Sequence, residues 1–379
     1  MTGNGRSEAI VVGAGIVGAA CAAALAKDGW KVTVLEKSFA GAGTTSVGMG
    51  HVVTMDDSPE QLALTAYSLR LWSELAPHLD ARSELDDCGT LWVAEDQAQL
   101  NAVHAKQRVY ADAGIATEVL DERALREAEP NLREGLAGAL RVPGDRVVYP
   151  PGVTRRLIAM ATLRGATIRE GVEVREIIPN GVRCDGETLH ADIVVNAAGP
   201  AAGLLVPALS IVPRKGHLAI TDRYPRFCRH QIVELGYLTS AHVMTNESVA
   251  FNVQPRFTGQ VLIGSSRELV GWNGVINHAI LRQMLARAVE FMPALAKLSI
   301  IRCWTGFRPA TPDKLPLIGP WEATPGLWMA AGHEGLGITT SLATAQLVAD
   351  QVAGRQPAID PVGFWPSRVL EQHATEAAS

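Results

Sequence analysis

Three hydrophobic patterns follow one another at the start of the chain. Residues 9–12 form a short apolar run of mostly β-branched residues, which predicts a buried parallel strand. Residues 16–28 are rich in alanine and predict a helix that is closed by Gly29. Residues 31–35 alternate with valines and predict a second strand that ends at Glu36. The pattern therefore predicts a strand–helix–strand unit.

The rest of the chain predicts two kinds of block in alternation. Helices are predicted at 59–79, 96–113, 121–128, 151–164, 277–291 and 338–352. Strands are predicted at 89–95, in short pieces over 167–184 with a turn at Asn180-Gly181, and at 193–196, 217–266, 300–305 and 327–331. Segment 130–152 is rich in glycine and proline, which predicts a crossing between domains.

Nucleotide-type units occur at the start, in the middle and at the end, with strand-rich blocks between them. This order predicts an α/β protein with one nucleotide-binding domain made of residues 1–85, 145–210 and 305–379. A second domain, made of residues 86–144 and 211–304, is then inserted twice.

Three glycines join the first strand to its helix with the spacing GxGxxG. Gly13 permits a tight turn, Gly15 lets the backbone approach a pyrophosphate, and Gly18 allows close packing of helix on strand. The positive end of the helix then faces the phosphates. Glu36 lies close to the roughly 20 residues past this motif where a ribose-binding acid is expected. These residues predict an adenosine dinucleotide site without deciding which dinucleotide it binds.

Composition excludes several classes of protein. The 379 residues are 47% hydrophobic with a net charge of −5 and no basic tail, which argues against nucleic acid as the main partner. Five scattered cysteines form no CxxC pair, so a metal site has no support and a reducing cytoplasm is expected. The uncharged run 9–26 contains the glycine motif, so it predicts a buried strand and helix rather than a membrane span.

The segment 41–52, GAGTTSVGMGHV, continues with hydroxyl residues and glycines. Thr44, Thr45 and Ser46 could bind phosphate or ribitol oxygens, and Gly48 and Gly50 would let backbone lie against a flat ring. Taken alone, the segment is better explained as a flexible loop.

Five segments together resemble the D-amino-acid oxidase superfamily of FAD enzymes. They are GxGxxG with Glu36, GTTS, VVNAAGP, RPATPDKLPLIG and GHEGLGITTS. The chain is most similar to the glycine oxidase and sarcosine oxidase branch. ELGYLTSAH, QPRFTGQVLIGSSRE and GHEGLGITTSLATAQLVAD are similar to the β (FAD) subunits of heteromeric D-hydroxyproline dehydrogenases.

This resemblance implies an FAD-binding Rossmann-like domain of the glutathione-reductase type and an inserted α+β substrate domain with a large mixed sheet. Independently, the chain has one nucleotide fingerprint, whereas a flavin reductase that uses NAD(P)H usually needs two. The predicted FAD-binding residues are Gly13, Ala14, Gly15, Ile16, Val17, Glu36, Lys37, Thr44, Thr45, Ser46, Gly48, Gly50, Val174, Ala198, Gly199, Gly306, Gly335, Leu336, Gly337, Ile338 and Thr339.

The resemblance also implies that Arg308 binds a substrate carboxylate. Guanidinium meets carboxylate through two parallel hydrogen bonds, which fix orientation as well as charge. Alternatively, Arg308 ties an interdomain loop to a carbonyl. His51 and His333 are candidate bases, or they pack and hydrogen-bond; Tyr237 could contact substrate, or be a buried structural tyrosine.

The resemblance predicts FAD-dependent dehydrogenation of an amino acid, with cis-4-hydroxy-D-proline as the first candidate substrate and an imine as the product. The sarcosine-type oxidases place a lysine over the flavin for reaction with oxygen, whereas QVLIGSSRE offers Arg267, which favours a non-oxygen acceptor or a partner subunit. The resemblance allows FMN and iron–sulfur clusters in such partners. The alternatives are a glycine or sarcosine-type oxidase that makes hydrogen peroxide, and a non-catalytic FAD-binding subunit of a complex.

Overall fold

The structure, a computed structural model, describes residues 7–236 and 247–369. Its helices are α1 (Ile16–Lys27), α2 (Thr44–Val47), α3 (Pro59–Leu75), α4 (Gln97–Asp112), α5 (Glu122–Ala128), α6 (Pro150–Thr162), α7 (Ala202–Leu205), α8 (His278–Phe291) and α9 (Gly337–Val352). Short 3₁₀ turns cover Ala76–His78, Ala81–Ser83, Gly199–Ala201, Pro293–Lys297 and Val362–Phe364.

The strands of the described residues include every predicted block and six short strands that the sequence did not predict. They are β1 (Glu8–Val12), β2 (Lys31–Glu36), β3 (His51–Val52), β4 (Thr90–Ala94), β5 (Glu118–Asp121), β6 (Gly138–Val142), β7 (Arg146–Val147), β8 (Thr167–Glu170), β9 (Val174–Ile178), β10 (Gly181–Cys184), β11 (Glu187–His190), β12 (Ile193–Asn196), β13 (Val212–Thr221), β14 (Gln231–Glu234), β15 (Glu247–Pro255), β16 (Val261–Glu268), β17 (Ile300–Ala310), β18 (Leu317–Pro320) and β19 (Leu327–Ala331).

One sheet collects strands from three distant parts of the chain. Within the described residues its order is β18-β19-β12-β1-β2-β8, and all of its pairs are parallel except β18–β19. β1 lies at its centre because Val11 and its neighbours are buried on both faces. Helices α1, α6 and α9 pack together on one face. The sheet is a Rossmann-like arrangement, as the sequence predicts.

A second, larger mixed sheet stands beside the first. Its order among the described residues is β17-β13-β16-β15-β14-β4-β6-β5, with β4 and β14 parallel and the other pairs antiparallel. Helix α8 covers one face, where Phe251 stacks on Phe291 at a centroid separation of 4.4 Å. The fold class is therefore confirmed, while the residue limits of the two domains stay predictions.

Segment 130–152 contains the strands β6 and β7, and its role as a crossing between domains stays a prediction. Gly138 is needed there for close strand packing rather than for a turn, since a Cβ at this residue would lie 2.2 Å from the Leu120 carbonyl oxygen. The helix predicted to run to residue 79 ends at Leu75 and becomes a 3₁₀ turn, because Pro77 cannot continue the α-helical hydrogen bonds.

Candidate active site

The loop between β1 and α1 leaves no room for side chains at its key glycines. Gly13 has a φ of +99°, and its N–H donates to the Leu35 carbonyl at 2.8 Å. A Cβ at Gly13 would lie 2.7 Å from the Ala197 carbonyl oxygen, and one at Gly18 would lie 2.0 Å from the Gly13 oxygen. Gly13 and Gly18 therefore form a tight backbone turn at the start of α1, with no side chain at either residue.

Glu36 and Thr45 lie against this loop. Oε2 of Glu36 accepts from the N–H of Ala14 at 2.8 Å, and Oε1 accepts from the N–H of Ser38 at 2.9 Å. The Thr45 hydroxyl accepts from the N–H of Ile16 at 3.0 Å. Side chains from β2 and α2 thus meet the glycine motif, as expected from their places in the sequence.

Helix α2 connects this loop to β17 in the larger sheet. The Thr44 hydroxyl donates to the Phe307 carbonyl at 2.6 Å. A Cβ at Gly306 would lie 2.4 Å from the side chain of Val47, so only glycine permits this contact. The GTTS segment is therefore a docked helical turn rather than a flexible loop.

The start of α9 lies on the same side. The Thr339 hydroxyl donates to the His51 carbonyl at 2.9 Å and accepts from the N–H of Val53 at 3.2 Å. A Cβ at Gly48 would touch Ile338 Cδ1 at 3.3 Å. Segments 41–52 and 337–339 therefore lie side by side, although nearly 300 residues separate them.

The loop before α9 reaches both the glycine motif and Arg308. The N–H of Leu336 donates to the His333 carbonyl at 2.9 Å. The Cβ position of Gly337 lies 3.9 Å from Val17 Cγ2, and that of Gly335 lies 3.7 Å from Nε of Arg308. The first and last glycine loops of the chain thus bound one site.

Arg308 is held by the larger sheet rather than by a loop. It lies in β17, directly opposite Arg214 of β13, and its Nη1 donates to the Ser266 carbonyl at 3.0 Å. Its guanidinium lies against Gly216, where a Cβ would be 2.4 Å from Nη1. Antiparallel strand pairing therefore gives Arg308 a rigid setting.

Both candidate histidines are uncharged at neutral pH. Desolvation by burial, with a smaller contribution from the positive Arg308, lowers the pKa of His51 to about 3. Burial also lowers the pKa of His333 to about 3, and its Nε2 is 2.9 Å from the Thr344 hydroxyl. His333 therefore has a structural partner in α9. The Nε2 of His51 is buried and has no hydrogen-bond partner among the described residues.

Several other predicted cofactor-binding residues lie in or near the same loops. Ala198 and Gly199 follow β12, beside the glycine motif, and Val174 is buried at the start of β9. Gly50 has a φ of +127° and abuts the Val148 carbonyl.

Three predicted residues either have little contact with these loops or lie outside the described residues. The Ser46 hydroxyl donates to the Gly43 carbonyl, and Lys37 is exposed. Tyr237, like the neighbouring His242, lies outside the described residues.

A cavity opens between the larger sheet and the segments that contain His51 and His333. It is lined by His51, Val53, Met55, Asp57, Gln61, Trp92, Arg214, Gln231, Val233, Asn252, Arg267, Lys314, His333, Glu334, Gly335 and Leu336. The buried oxygens Oε1 of Gln231 and Oδ1 of Asn252 have no hydrogen-bond partner within the described part of the chain. These oxygens can accept hydrogen bonds from a polar ligand or from water.

Glu334 and Arg214 are the main residues that sequence reasoning missed, whereas their neighbours Arg267 and Arg308 were named. Oε1 of Glu334 lies 3.3 Å from Nε of Arg267 and 3.6 Å from Nη1 of Arg214. Burial opposes ionisation, but Arg267, Arg308 and Arg214 together lower the pKa of Glu334 to about 2. Glu334 also has a φ of +45°, which is unusual outside glycine and typical of functional loops. No local sequence pattern indicates Glu334, since the three arginines that lower its pKa come from different strands.

The fold and site define a dinucleotide-binding oxidoreductase. A glycine cradle, an acid at the end of β2 and the buried Nε2 of His51 fit FAD. Residues 8–351 match the family model described as FAD dependent oxidoreductase (DAO), and the chain belongs to this family. FAD is its cofactor.

Known proteins are similar over nearly the whole chain. A D-amino acid dehydrogenase of Methylobacterium nodulans is 31% identical over 92% of this chain and 96% of its own length. A glycine oxidase of Pseudomonas aeruginosa is 29% identical, covering 94% and 98%. The crystal structure of glycine oxidase from Geobacillus kaustophilus superposes with a TM-score of 0.85 at 27% identity, over 95% of this chain and 98% of that one.

The described residues contain no helix long and apolar enough to cross a membrane.

Proposed function

We propose that the protein dehydrogenates the Cα–N bond of an amino acid to an imine. The observation that carries this proposal is the position of Arg308. Its guanidinium is fixed between the Ser266 carbonyl and Gly216, and it lies beside Gly335 at the edge of the cavity. A fixed planar cation next to a flavin-type loop suits a carboxylate that must be oriented, not merely attracted.

Each residue then has a limited task. Arg308 would bind the substrate carboxylate and so set the position of the Cα–H bond. The glycine motif, Glu36 and Thr45 would hold the dinucleotide, and the N-terminus of α9 would stabilise negative charge near the ring. FAD, when bound, supplies the acceptor for the hydride that leaves Cα. After the hydride has left Cα, the nitrogen loses one proton to solvent, so a substrate amine that binds neutral needs no base from the protein.

The neutral histidines agree with this division of labour. With a pKa of about 3, His51 is a hydrogen-bonding group rather than a proton store at pH 7. Its buried Nε2 would serve the ligand or the cofactor ring. The same low pKa makes His333 a poor general base in the ordinary working range.

For the substrate, we propose cis-4-hydroxy-D-proline as the first to test among cyclic and secondary D-amino acids. The open oxygens of Gln231 and Asn252 could accept a hydrogen bond from a ring hydroxyl. Electrons would pass to a partner subunit or another non-oxygen acceptor, since the resemblance implies a lysine in the segment QVLIGSSRE, which offers Arg267 instead. The second candidate is a glycine-type oxidase, which the names of two relatives favour. A non-catalytic FAD-binding subunit binds no substrate carboxylate, so it would not need Arg308 to be held in one orientation.

Anaerobic bleaching of the flavin by a substrate panel tests the proposal. The panel contains cis-4-hydroxy-D-proline, D-proline, L-proline, sarcosine, glycine and D-alanine. We expect fast bleaching by the D-prolines and slow return of colour after air is admitted. Fast bleaching by glycine or sarcosine with immediate recovery would make the protein an oxidase. Absence of bleaching by every amino acid would contradict the proposed function.

A further inference from the structure

The cavity has a polar floor on one face of the larger sheet. Val233 of β14 lies in register with Trp92 of β4 on one side and with Asn252 of β15 on the other. Residues in register on neighbouring strands share a face, and Gln231 shares it too because it lies two residues from Val233. All four residues line the cavity. We call these four residues the cavity floor.

Three polar atoms of the cavity floor have no hydrogen-bond partner in the described part of the chain. They are Nε1 of Trp92, Oε1 of Gln231 and Oδ1 of Asn252. Trp92 and Gln231 are each 2% exposed, and Asn252 is 5% exposed. A buried donor or acceptor that stays unpaired is destabilising, so a ligand that pairs with these atoms is favoured over one that is apolar there.

The three atoms are one donor and two acceptors. The indole N–H of Trp92 can only donate, and the amide oxygens of Gln231 and Asn252 can only accept. A hydroxyl group donates one hydrogen bond and accepts others, so it can pair with the indole and with one oxygen. The N–H of a neutral amine can pair with the second oxygen. A cyclic amino acid with a ring hydroxyl therefore complements the whole cavity floor, whereas an unsubstituted ring leaves Trp92 unpaired.

Strand order assigns the groups to the residues. The larger sheet runs from β17, which carries Arg308, through β13 and β16 to β15, β14 and β4. Asn252 is thus the nearest of the three polar residues to the Arg308 strand and Trp92 the farthest. In a proline ring the nitrogen is bonded to the carbon that bears the carboxylate, and a 4-hydroxyl lies farther away. A substrate held by Arg308 would then meet Asn252 with its nitrogen, and Gln231 and Trp92 with its hydroxyl.

The position of the sheet also selects one isomer. The cofactor loops, with His51 and His333, lie on the side of the cavity that faces the sheet. A Cα–H bond that loses its hydride towards these loops points away from the sheet. The carboxylate lies on the opposite face of the ring, towards the sheet and Arg308. A hydroxyl that reaches the cavity floor must lie on that same face, which makes it cis to the carboxylate.

Trp92 is held in place from behind. Nζ of Lys106 lies 5.0 Å from the centroid of the Trp92 ring and 4.8 Å from that of Tyr110, and Lys106 forms a buried ion pair with Asp56. A desolvated ammonium group over an aromatic face stabilises this arrangement. The indole N–H is therefore a fixed donor.

We propose that Trp92 selects the cis-4-hydroxyl group of the substrate. Its indole N–H donates to the hydroxyl oxygen, and the hydroxyl donates to Oε1 of Gln231. This inference rests on the proposed function, because Arg308 must hold the carboxylate. Trp92 and Gln231 then determine specificity, while the dehydrogenation itself does not need them.

Three D-amino acids test the inference on the holoenzyme. They are cis-4-hydroxy-D-proline, trans-4-hydroxy-D-proline and D-proline, and the measurement is the rate of anaerobic flavin reduction against concentration. We expect the efficiency with the cis isomer to exceed that with either of the others by about tenfold, the size of a buried hydrogen bond. Trp92→Phe, which keeps an aromatic ring and removes the donor, should bring the ratio of cis isomer to D-proline towards one. The half-exposed Trp272→Phe is the matched control and should keep the wild-type ratio.

Gln231→Met provides a second variant, because it removes the acceptor and leaves Trp92 intact. It should lower the same ratio, and it decides the question if Trp92→Phe fails to fold. Equal efficiencies of the three D-amino acids in wild type would overturn the inference while the proposed function survives. A preference for the cis isomer that both variants retain would overturn it as well.

If no amino acid bleaches the flavin, the proposed function fails and calorimetry still decides the role of Trp92. Binding of cis-4-hydroxy-D-proline about tenfold tighter than D-proline in wild type, but not in Trp92→Phe, would support hydroxyl recognition. Equal affinities in wild type, or no binding of either, would refute it.

Discussion

The contact between Gly216 and Arg308 offers a way to move the carboxylate-binding group without removing it. A Cβ built at Gly216 has three nearest atoms, and all belong to the Arg308 guanidinium, at 2.4, 2.8 and 2.9 Å. The φ of Gly216 lies outside the left-handed region, so alanine suits its backbone. Gly216→Ala should therefore act through Arg308.

The size of the effect follows from these distances. Ordinary van der Waals contact of a Cβ begins at 3.4 Å, so the guanidinium must retreat by about 1 Å from its 2.4 Å position. A displacement of ~1 Å at a positioning group costs about 100-fold in rate. At 1.36 kcal/mol per decade, this is about 2.7 kcal/mol of transition-state stabilisation. The loss should appear in kcat/KM.

Steady-state kinetics with the best amino acid of the panel, together with flavin absorbance, makes the assay. Gly274→Ala is the matched control, because its Cβ would lie at an ordinary contact distance of 3.8 Å from Phe307, which is in the same strand as Arg308. We expect full flavin content in both variants and an activity loss in Gly216→Ala alone. A fully active Gly216→Ala enzyme would refute the assignment of Arg308 to substrate binding.

Three further predictions concern the cofactor, the stability and the histidines. Gly18→Ala should purify without flavin, since its Cβ would lie 2.0 Å from the Gly13 oxygen; absorbance at 450 nm checks this, with Gly144→Ala, whose Cβ has open space, as the control. Burial raises the pKa of Asp145 from 3.8 to about 7, so the associated stability is present below pH 4 and lost as pH rises through 7. The free energy of unfolding of Asp145→Asn should then exceed that of wild type by up to about 4 kcal/mol at pH 8. The same difference in melting temperature between the two proteins at pH 5 and at pH 8 would exclude this. Because the pKa values of His51 and His333 are about 3, kcat/KM should show no histidine ionisation between pH 5 and 8; a limb near 6.5 that His51→Gln abolishes would contradict it.

The nucleotide half of the site was predictable because its signals are local. Gly13, Gly15, Gly18 and Glu36 lie within one strand–helix–strand unit, and each answers to a single geometric need. Most helices and strands were predictable for the same reason, because the periodicity of their hydrophobic residues is a local pattern. Where glycine has a packing reason, as at Gly138 in β6, the sequence pattern misleads.

The substrate half of the site depends on long-range pairing. Arg214 meets Arg308 only because β13 pairs with β17, and Arg267 joins them through β16. Glu334 enters from the loop before α9. No spacing in the sequence brings these four residues together, so their shared charge balance could not be predicted without the strand order.

Carboxylate recognition by Arg308 is the central claim, and one comparison tests it most directly. The rate of anaerobic flavin reduction is measured for the most reactive amino acid and for its carboxamide, in wild type and in Arg308→Lys. We predict that wild type prefers the acid by about 100-fold, and that the variant loses most of this preference because lysine cannot form the paired contact. Equal preference for the acid in the two proteins would contradict the account.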